Sequence, residues 1–199
     1  MGLAHLIARQ LGRPSRLTGR ILNLANARIN EQAVGLLEVA PENHALDVGF
    51  GGAVALEKLA GRAAFVAGID HSKPAVRAAS NRFRDEIASG RMQVEQAGVD
   101  AIPFANASFD RVLTVNTIYF WPDPEHALRE ILRVLKPGAR LVIGTNAKHV
   151  PQPIAQHGFT FHTDKEQESI LRSVGFSDVH FDRRDRSLFA LAAKPRRAA

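Results

Sequence analysis

The stretch "ALDVGFGGAVAL", residues 45–56, runs from an apolar segment through a glycine-rich turn into a helical pattern. Gly49 and Gly51 remove side chains from this turn, which lets its backbone amides approach a ligand closely. Asp47 stands directly before the turn, and Asp70 ends the next apolar segment in "GIDHS". A carboxylate at that spacing accepts hydrogen bonds from ribose hydroxyls. The pattern therefore indicates a nucleoside ligand at the end of a buried strand.

The rest of the chain alternates short apolar segments, flanked by glycine or proline, with helical patterns. This alternation predicts an α/β fold with a mostly parallel sheet that is covered on both faces. The polar stretch "RRDR" joins the last two apolar segments as a hairpin, so one of these strands must run antiparallel to the others. Strands are predicted at 45–49, 64–69, 92–95, 109–115, 140–144, 178–182 and 187–193, and helices at 17–39 (one or two), 53–61, 73–89, 124–135 and 164–174.

Composition narrows the class of protein. The 199 residues are 45% hydrophobic, which is enough for one sizeable core. No apolar stretch approaches the roughly 20 residues that span a bilayer. The absence of cysteine excludes disulfides, thiolate metal sites and cysteine nucleophiles. We identify no metal-binding motif, and we expect a soluble, cytoplasmic protein.

The net charge of +6 is concentrated at the two ends of the chain. The first 30 residues contain five arginines and no acid, and the segment from Arg183 onward is also basic. Surfaces that bind nucleic acids more often interleave basic residues with aromatic ones, and few aromatic residues lie near this basic tail. We therefore do not expect a nucleic acid as the partner.

Asp47 narrows the choice of nucleoside ligand. An acid at the end of the first strand repels a pyrophosphate but attracts a cationic amino group or a sulfonium. This favours an adenosyl amino acid over a dinucleotide, and the terminal hairpin agrees, because dinucleotide-binding domains usually lack it. A nicotinamide-dependent oxidoreductase stays open as an alternative, since "GFGGAV" and Asp70 fit it in part.

A family resemblance rests on four stretches: "ALDVGFGGA", "GIDHS", "IPFANASFDRVLTVNTIYFWPDPEHALREILRVLKPGARLVIG" and "LRSVGFSDVHF". In this order they resemble the class I S-adenosylmethionine-dependent methyltransferases, especially the branch that acts on small molecules. The resemblance implies a Rossmann-like seven-stranded sheet in the order 3-2-1-4-5-7-6, with strand 7 antiparallel and helices on both faces. It divides the chain into an N-terminal helical lid or extension at 1–39 and a methyltransferase domain at 40–195.

The resemblance also implies S-adenosyl-L-methionine as the cofactor. Its methionine end would meet Asp47 and the glycine turn, its ribose would meet Asp70, and His71 would flank the adenine. The backbone carbonyl of Asn116 would receive the cofactor's ammonium group. The cofactor-binding residues carried over in this way are Asp47, Gly49, Phe50, Gly51, Asp70, His71, Val99 and Asn116.

Two positions depart from the family pattern. Ala53 replaces the usual third glycine, and Gly98 lies where an aspartate commonly accepts the adenine amino group. Recognition would then fall to backbone groups such as the Val99 amide, which cannot accept from that amine. We expect weak discrimination against an inosyl analogue, and Asp100 is the nearest other carboxylate. Such departures leave open a binding module that retains the fold without catalytic activity.

The chemistry of methyl transfer requires alignment of donor and acceptor but no covalent nucleophile. A phenol or alcohol acceptor would need a base, for which Tyr119, His149 and His157 are the candidates that we retain. His126 lies in a helical pattern that indicates packing or solvent exposure, and His162 is not ranked further. The acceptor is predicted to be a small or lipid-like molecule, and the sequence indicates neither its identity nor an oligomeric state.

Overall fold

The sheet has the predicted order. The computed structural model describes residues 16–146 and 163–196, with side chains from residue 27 onward. Seven strands lie in these residues: β1 His44–Val48, β2 Phe65–Asp70, β3 Met92–Gln96, β4 Phe109–Val115, β5 Leu135–Thr145, β6 Ser177–Arg184 and β7 Ser187–Ala193. They form one sheet in the order β3-β2-β1-β4-β5-β7-β6. Strand β7 is antiparallel to β5 and β6, and the other pairs are parallel, which confirms the predicted topology.

Helices cover both faces of this sheet. They are α1 Arg16–Leu37, α2 Val54–Ala60, α3 Lys73–Arg82, α4 Arg84–Ala88, α5 Pro124–Val134 and α6 Asp164–Val174. Leu37 and Leu56 pack with Ala45 on the face covered by α1, α2 and α3. Leu128 packs with Leu46 on the opposite face, covered by α5 and α6, because successive strand residues point to opposite sides. Within residues 16–146 and 163–196, every helix is too short or too polar to cross a membrane.

The prediction of a single helix at 73–89 is wrong, because the structure has two helices there. The chain leaves the helical conformation at Phe83, where φ is −106° and ψ is 33°, and α4 begins at the next residue. The Phe83 ring is buried in the core on that face of the sheet. The break in the helix thus coincides with burial of the Phe83 ring. Local helix propensity did not indicate it.

Strand β5 is longer than the predicted segment at 140–144. It begins at Leu135, which pairs with Phe109, and the register then shifts before Arg140 pairs with Arg111. Gly138, with φ of 79°, lies within this irregular stretch. The "KPG" sequence, which reads as a turn, is accommodated as an irregularity inside the strand. The remaining strands agree with the prediction to within two residues at each end.

Helix α1 runs antiparallel to β5 and reaches both edges of the sheet. Arg140 donates to the Leu36 carbonyl at 3.0 Å near the amino edge. Arg28 pairs with Asp185 at 2.6 Å in the β6–β7 turn, at the carboxyl edge. The helix continues from residue 27 back to 16, about 18 Å further at 1.5 Å per residue. The buried side chain of Ile29 belongs to the core, and the lid role of 1–39 stays a prediction.

Candidate active site

The turn after β1 alternates residues in the left-handed region. Gly49 has a φ of 75°, Gly51 of 49° and Ala53 of 60°. A Cβ on Gly49 would lie 2.6 Å from Thr117 Cγ2, so packing against the chain after β4 requires glycine there. A Cβ on Gly51 would meet no atom of the described residues within 4 Å. Gly51 therefore presents its backbone to open space, as a turn that cradles a ligand must.

Asp70 connects the ends of the first two strands. The residue is buried, with 6% of its surface exposed. Oδ2 accepts the Gly51 N–H at 2.8 Å, and Oδ1 accepts the Ser72 N–H at 2.8 Å. A carboxylate oxygen has more than one acceptor site, so both oxygens retain capacity for ribose hydroxyls. The structure thus brings Asp70 to the glycine turn, as the spacing predicted.

Asp47 is a buried carboxyl group beside Asp70. Asp47 is 2% exposed, and its Oδ2 has no hydrogen-bond partner among the described residues. Burial, with a smaller contribution from the Asp70 charge, raises the pKa of Asp47 to about 8. A buried polar atom without a partner is costly, and a cationic ligand would offset that cost. Asp47 is therefore suited to a ligand that carries an ammonium or sulfonium.

The end of β4 is fixed by polar contacts of Asn116 and Thr114. Asn116 has a φ of 58°, a region that asparagine tolerates better than most residues. Its Oδ1 accepts the Asn146 N–H at 3.0 Å, which links the ends of β4 and β5. Thr114 Oγ1 donates to the Val48 carbonyl at 2.8 Å and contacts Thr117 Oγ1. These bonds hold the ends of β1, β4 and β5 in one place.

The chain after β3 lies next to Asp70 on its other side. The Ala97 N–H donates to the Asp70 carbonyl at 3.2 Å. The following turn is closed by the Ala101 N–H, which donates to the Gly98 carbonyl at 3.3 Å. Val99 in this turn is partly buried against the core.

The His71 side chain is 78% exposed, with Nδ1 3.7 Å from Asp70 Oδ1.

Helix α5 holds this same segment, a role that the sequence interpretation missed. His126 Nε2 lies 2.9 Å from the Asp100 carbonyl, which only accepts, so the ring nitrogen donates. Glu130 Oε2 accepts the Ile102 N–H at 3.0 Å, and Arg133 donates to the Ile102 carbonyl at 2.8 Å. The spacing of the three helix residues puts them on one face, which was the available signal.

The glycine turn, the acid pair and the end of β4 lie in a stretch of the chain that matches a known family. The model of the methyltransferase domain family matches residues 46–143. The central region of this chain belongs to the class I S-adenosylmethionine-dependent methyltransferases. Asp47, Asp70 and Asn116 of the methyltransferase domain all fall within the matched residues.

Curated relatives of the methyltransferase domain act on small molecules by name. The 27-O-demethylrifamycin SV methyltransferase of Amycolatopsis mediterranei is 32% identical over 62% of this chain and 46% of its own length. The ubiquinone/menaquinone biosynthesis C-methyltransferase UbiE of Geotalea daltonii is 38% identical over 56% of this chain and 48% of its own. This chain spans about half the length of several curated relatives that it matches.

A solved methyltransferase has the same fold. The S-adenosylmethionine-dependent methyltransferase from Aquifex aeolicus aligns with a TM-score of 0.67 and 20% identity. The alignment covers 82% of this chain and 88% of that one. At this identity the likeness shows the fold, and the family match favours a methyltransferase over the nicotinamide-dependent oxidoreductase considered above.

The residues of the methyltransferase domain fit S-adenosyl-L-methionine, the cofactor of its family. Within the part of the chain that the structure describes, Asp47 Oδ2 has no partner and suits a cationic ligand, and the space at Gly51 is open and suits close approach to the backbone. Phe50 differs from the expectation for a cofactor contact. Its side chain is buried, with Cδ1 2.8 Å from the position of a Cβ on Gly68. Only the backbone of Phe50 stays a candidate for the cofactor.

Of the three candidate bases, the structure describes only Tyr119. Tyr119 is half-buried after β4, and burial raises the pKa of its phenol above the ordinary value. It is therefore a neutral hydroxyl at physiological pH, and its role as a base stays a prediction. His149, His157 and His162 lie outside the described residues of the methyltransferase domain.

Proposed function

We propose that this protein transfers a methyl group from S-adenosyl-L-methionine to a small-molecule acceptor. The observation that carries the proposal is Asp47, a buried carboxyl whose Oδ2 has no partner among the described residues, next to Asp70 at the glycine turn. A site of this kind suits a cationic nucleoside ligand better than a pyrophosphate. The names of the relatives, which modify a rifamycin and quinones, support a small acceptor.

Each part of the site has a role in this proposal. Asp70 binds the ribose hydroxyls, and the Gly51 turn lets the cofactor approach the backbone. Asp47 balances the positive charge of the methionine end. When bound, the cofactor supplies a methyl group on a cationic sulfur, and its in-line transfer depends on alignment and exclusion of water. The chain's contribution is thus positioning and electrostatics.

The acceptor is proposed to lie beyond the end of β4. Tyr119 and Phe120 form an edge-to-face pair there, with ring centroids 4.5 Å apart, and provide an apolar wall with a hydroxyl group. The N-terminal part of α1 extends past the same edge, beyond the Arg28–Asp185 ion pair, and is proposed as a lid. We propose further that the acceptor is a small or lipid-like molecule and that the protein acts in the cytoplasm.

Two measurements test the proposal. Calorimetric titration with S-adenosylhomocysteine and with NAD should show binding of the first and none of the second. Incubation with S-adenosylmethionine and a panel of phenols, amines, carboxylic acids and phospholipids should then form S-adenosylhomocysteine with at least one acceptor class. Failure to bind S-adenosylhomocysteine would overturn the cofactor assignment. Binding without turnover on any acceptor would favour a binding module.

A further inference from the structure

Two asparagine side chains meet where β4 and β5 end. Asn116 Oδ1 accepts the Asn146 N–H at 3.0 Å, and Asn146 Oδ1 accepts the Ser187 hydroxyl at 3.1 Å. Each amide oxygen is thus used as an acceptor within the protein. These bonds fix the orientation of both carboxamides, because only the oxygen end can accept. The end that remains for a ligand is the NH2 group, Nδ2, of each side chain.

Both Nδ2 groups are accessible. Neither donates a hydrogen bond within residues 27–146 and 163–196, and both asparagines are half-buried. In the same residues the buried side-chain atom without a partner is Asp47 Oδ2 alone, so the two Nδ2 atoms are not sealed in the core. Each Nδ2 has two N–H donors. The ends of β4 and β5 therefore present a pair of held amide donors to a ligand.

These donors lie on the side of the site proposed for the acceptor. Asp47 and Asp70, which we propose to bind the cofactor, lie at the ends of β1 and β2. In the sheet β4 lies between β1 and β5, so Asn146 lies further along the sheet from Asp70 than Asn116 does. The Tyr119–Phe120 wall follows Asn116 in the chain. A cofactor that extends from β2 to β4 leaves the end of β5 to the second substrate.

The described residues at this position include no histidine. None lies on β4, on β5 or at 116–123, and the described histidines are at the amino edge, beside Asp70, against the Asp100 carbonyl and on β6: His44, His71, His126 and His180. The phenol of Tyr119 is protonated at neutral pH, because burial raises its pKa. Amide donors with no histidine beside them suit a substrate oxygen that is already ionised.

The geometry points to Asn116 and Asn146 as specificity-determining residues whose Nδ2 groups bind an ionised oxygen of the acceptor, in a carboxylate, an enolate or an acidic phenolate. This inference rests on the proposed function. The ionised oxygen forms the bond to the methyl group, while the bond between that methyl and sulfur breaks and leaves its electron pair on sulfur. No proton has to be removed. An amine acceptor uses its one lone pair to attack the methyl group and so cannot also accept from Nδ2.

The first test compares matched acceptors in the presence of S-adenosylmethionine. A panel of benzoates and acidic phenols should be methylated, and 4-nitrophenol should exceed 4-nitroaniline in kcat/KM on the order of 10- to 100-fold, the effect of a hydrogen bond to a charged group. Faster turnover of amines, or no turnover of any oxygen acid, overturns the inference. The cofactor assignment is tested separately, since a protein that does not bind S-adenosylhomocysteine overturns both.

Asn146→Asp separates ligand binding from structural support. Its carboxylate can still accept the Ser187 hydroxyl but has no N–H to donate. With 4-nitrophenol we expect kcat/KM to fall on the order of 10- to 100-fold, while S-adenosylhomocysteine affinity is retained. Asn43→Asp is the matched control, because Asn43 Oδ1 also accepts a backbone amide, that of Ala40 at 2.9 Å, but at the amino edge. An unchanged kcat/KM in folded Asn146→Asp, or an equal loss in Asn43→Asp, overturns the inference.

The absorbance of 4-nitrophenol in the complex with S-adenosylhomocysteine gives a readout that does not depend on turnover. Donors stabilise the phenolate, so the wild-type protein should lower the pKa of the bound phenol below its value in water. Asn146→Asp and Asn116→Asp should raise the pKa of the bound phenol again, and thermal unfolding verifies the fold of each variant. A spectrum that the protein leaves unchanged, or a bound phenol that ionises as in water, contradicts the inference.

Discussion

Asp70 and Gly51, 19 residues apart, are joined by a 2.8 Å hydrogen bond from the Gly51 N–H to Asp70 Oδ2. The acid that ends β2 thereby fixes the turn that follows β1. One carboxylate both shapes the glycine turn and faces the position proposed for the ribose. Substitution of Asp70 is therefore expected to affect ligand affinity and the order of the turn together.

For Asp70→Ala we expect S-adenosylhomocysteine binding to weaken by roughly 1.5–3 kcal/mol, because charged hydrogen-bond acceptors for the ribose are lost. Calorimetry measures the affinity, and circular dichroism verifies the fold. Asp110→Ala is the matched control, since Asp110 also accepts a backbone amide, that of His44 at 2.9 Å, but at the opposite edge of the sheet. Equal losses of affinity in the two variants would remove Asp70 from the site.

Gly51→Ala should weaken S-adenosylhomocysteine binding at least about tenfold, because the new methyl group fills the open space at the turn. Its left-handed φ adds strain of about 1–2 kcal/mol to the folded state. Gly90→Ala is the control, because Gly90 also has a positive φ and open space but precedes β3 at the far edge. Urea unfolding and titration should show similar strain in both and lost affinity only in Gly51→Ala.

Gly49→Ala is expected to be more destabilising than Gly51→Ala. Both residues have a positive φ, but the Gly49 methyl group would also lie 2.6 Å from Thr117 Cγ2. The free energy of unfolding should therefore fall by more than the roughly 1–2 kcal/mol of backbone strain. Equal stability of the two variants in urea would contradict the close packing of this turn on the chain after β4.

Binding of S-adenosylhomocysteine should strengthen as the pH rises from 6 to 8. Burial raises the pKa of Asp47 to about 8, so the free protein holds a proton there that the ligand's ammonium group displaces. Affinity rises with the ionised fraction of Asp47, by up to about tenfold per pH unit below this pKa. The Asp47→Asn variant should bind less tightly and lack this dependence. A steep pH dependence that persists in Asp47→Asn would assign the titration to another group.

Burial also raises the pKa of free Asp47 relative to the unfolded chain, and this has a consequence for stability. The folded state binds more protons than the unfolded state between the ordinary pKa of 3.8 and about 8. The contribution of Asp47 to the free energy of unfolding therefore falls as the pH rises through this window. Denaturation of Asp47→Asn should show a weaker decline over the same range than the wild-type protein.

Tyr119→Phe should leave the shape of the pH–rate profile unchanged between pH 7 and about 9, because the buried phenol of Tyr119 stays protonated there. The rate with the acceptor found in the screen should fall by no more than about tenfold, the effect of one neutral hydrogen bond. Disappearance of a basic limb from the profile would instead identify Tyr119 as a base.

Local signals in the sequence predicted the strands and placed Asp47 and Asp70 at the ends of the first two, where the structure has them, and the family resemblance implied the order of the strands. Apolar segments and their flanking glycines predicted the strands, and "RRDR" predicted the antiparallel β7. The break at Phe83 and the irregular start of β5 were missed, since the first accompanies burial of a ring and the second depends on pairing with Phe109. Pairing partners lie far away in the sequence.

Contacts between residues that lie far apart in the sequence could not be predicted from it either. His126 was expected to pack or face solvent, and its bond to the Asp100 carbonyl spans 26 residues. That Asp47 Oδ2 has no partner among residues 27–146 and 163–196 likewise becomes evident only when the surrounding strands are in place.

Helix α1 is joined to β5 through Arg140 at the amino edge, whereas the acids and glycines that we propose to bind the cofactor lie between Asp47 and Asp70. If α1 covers the acceptor as proposed, the cofactor and the acceptor are bound by separate stretches of the chain. Exchange of the segment before Ile29 for that of a relative should retune which acceptor is methylated while S-adenosylhomocysteine affinity stays constant. With the two functions separated in this way, related proteins could change their acceptor while the residues that bind the nucleoside stay the same.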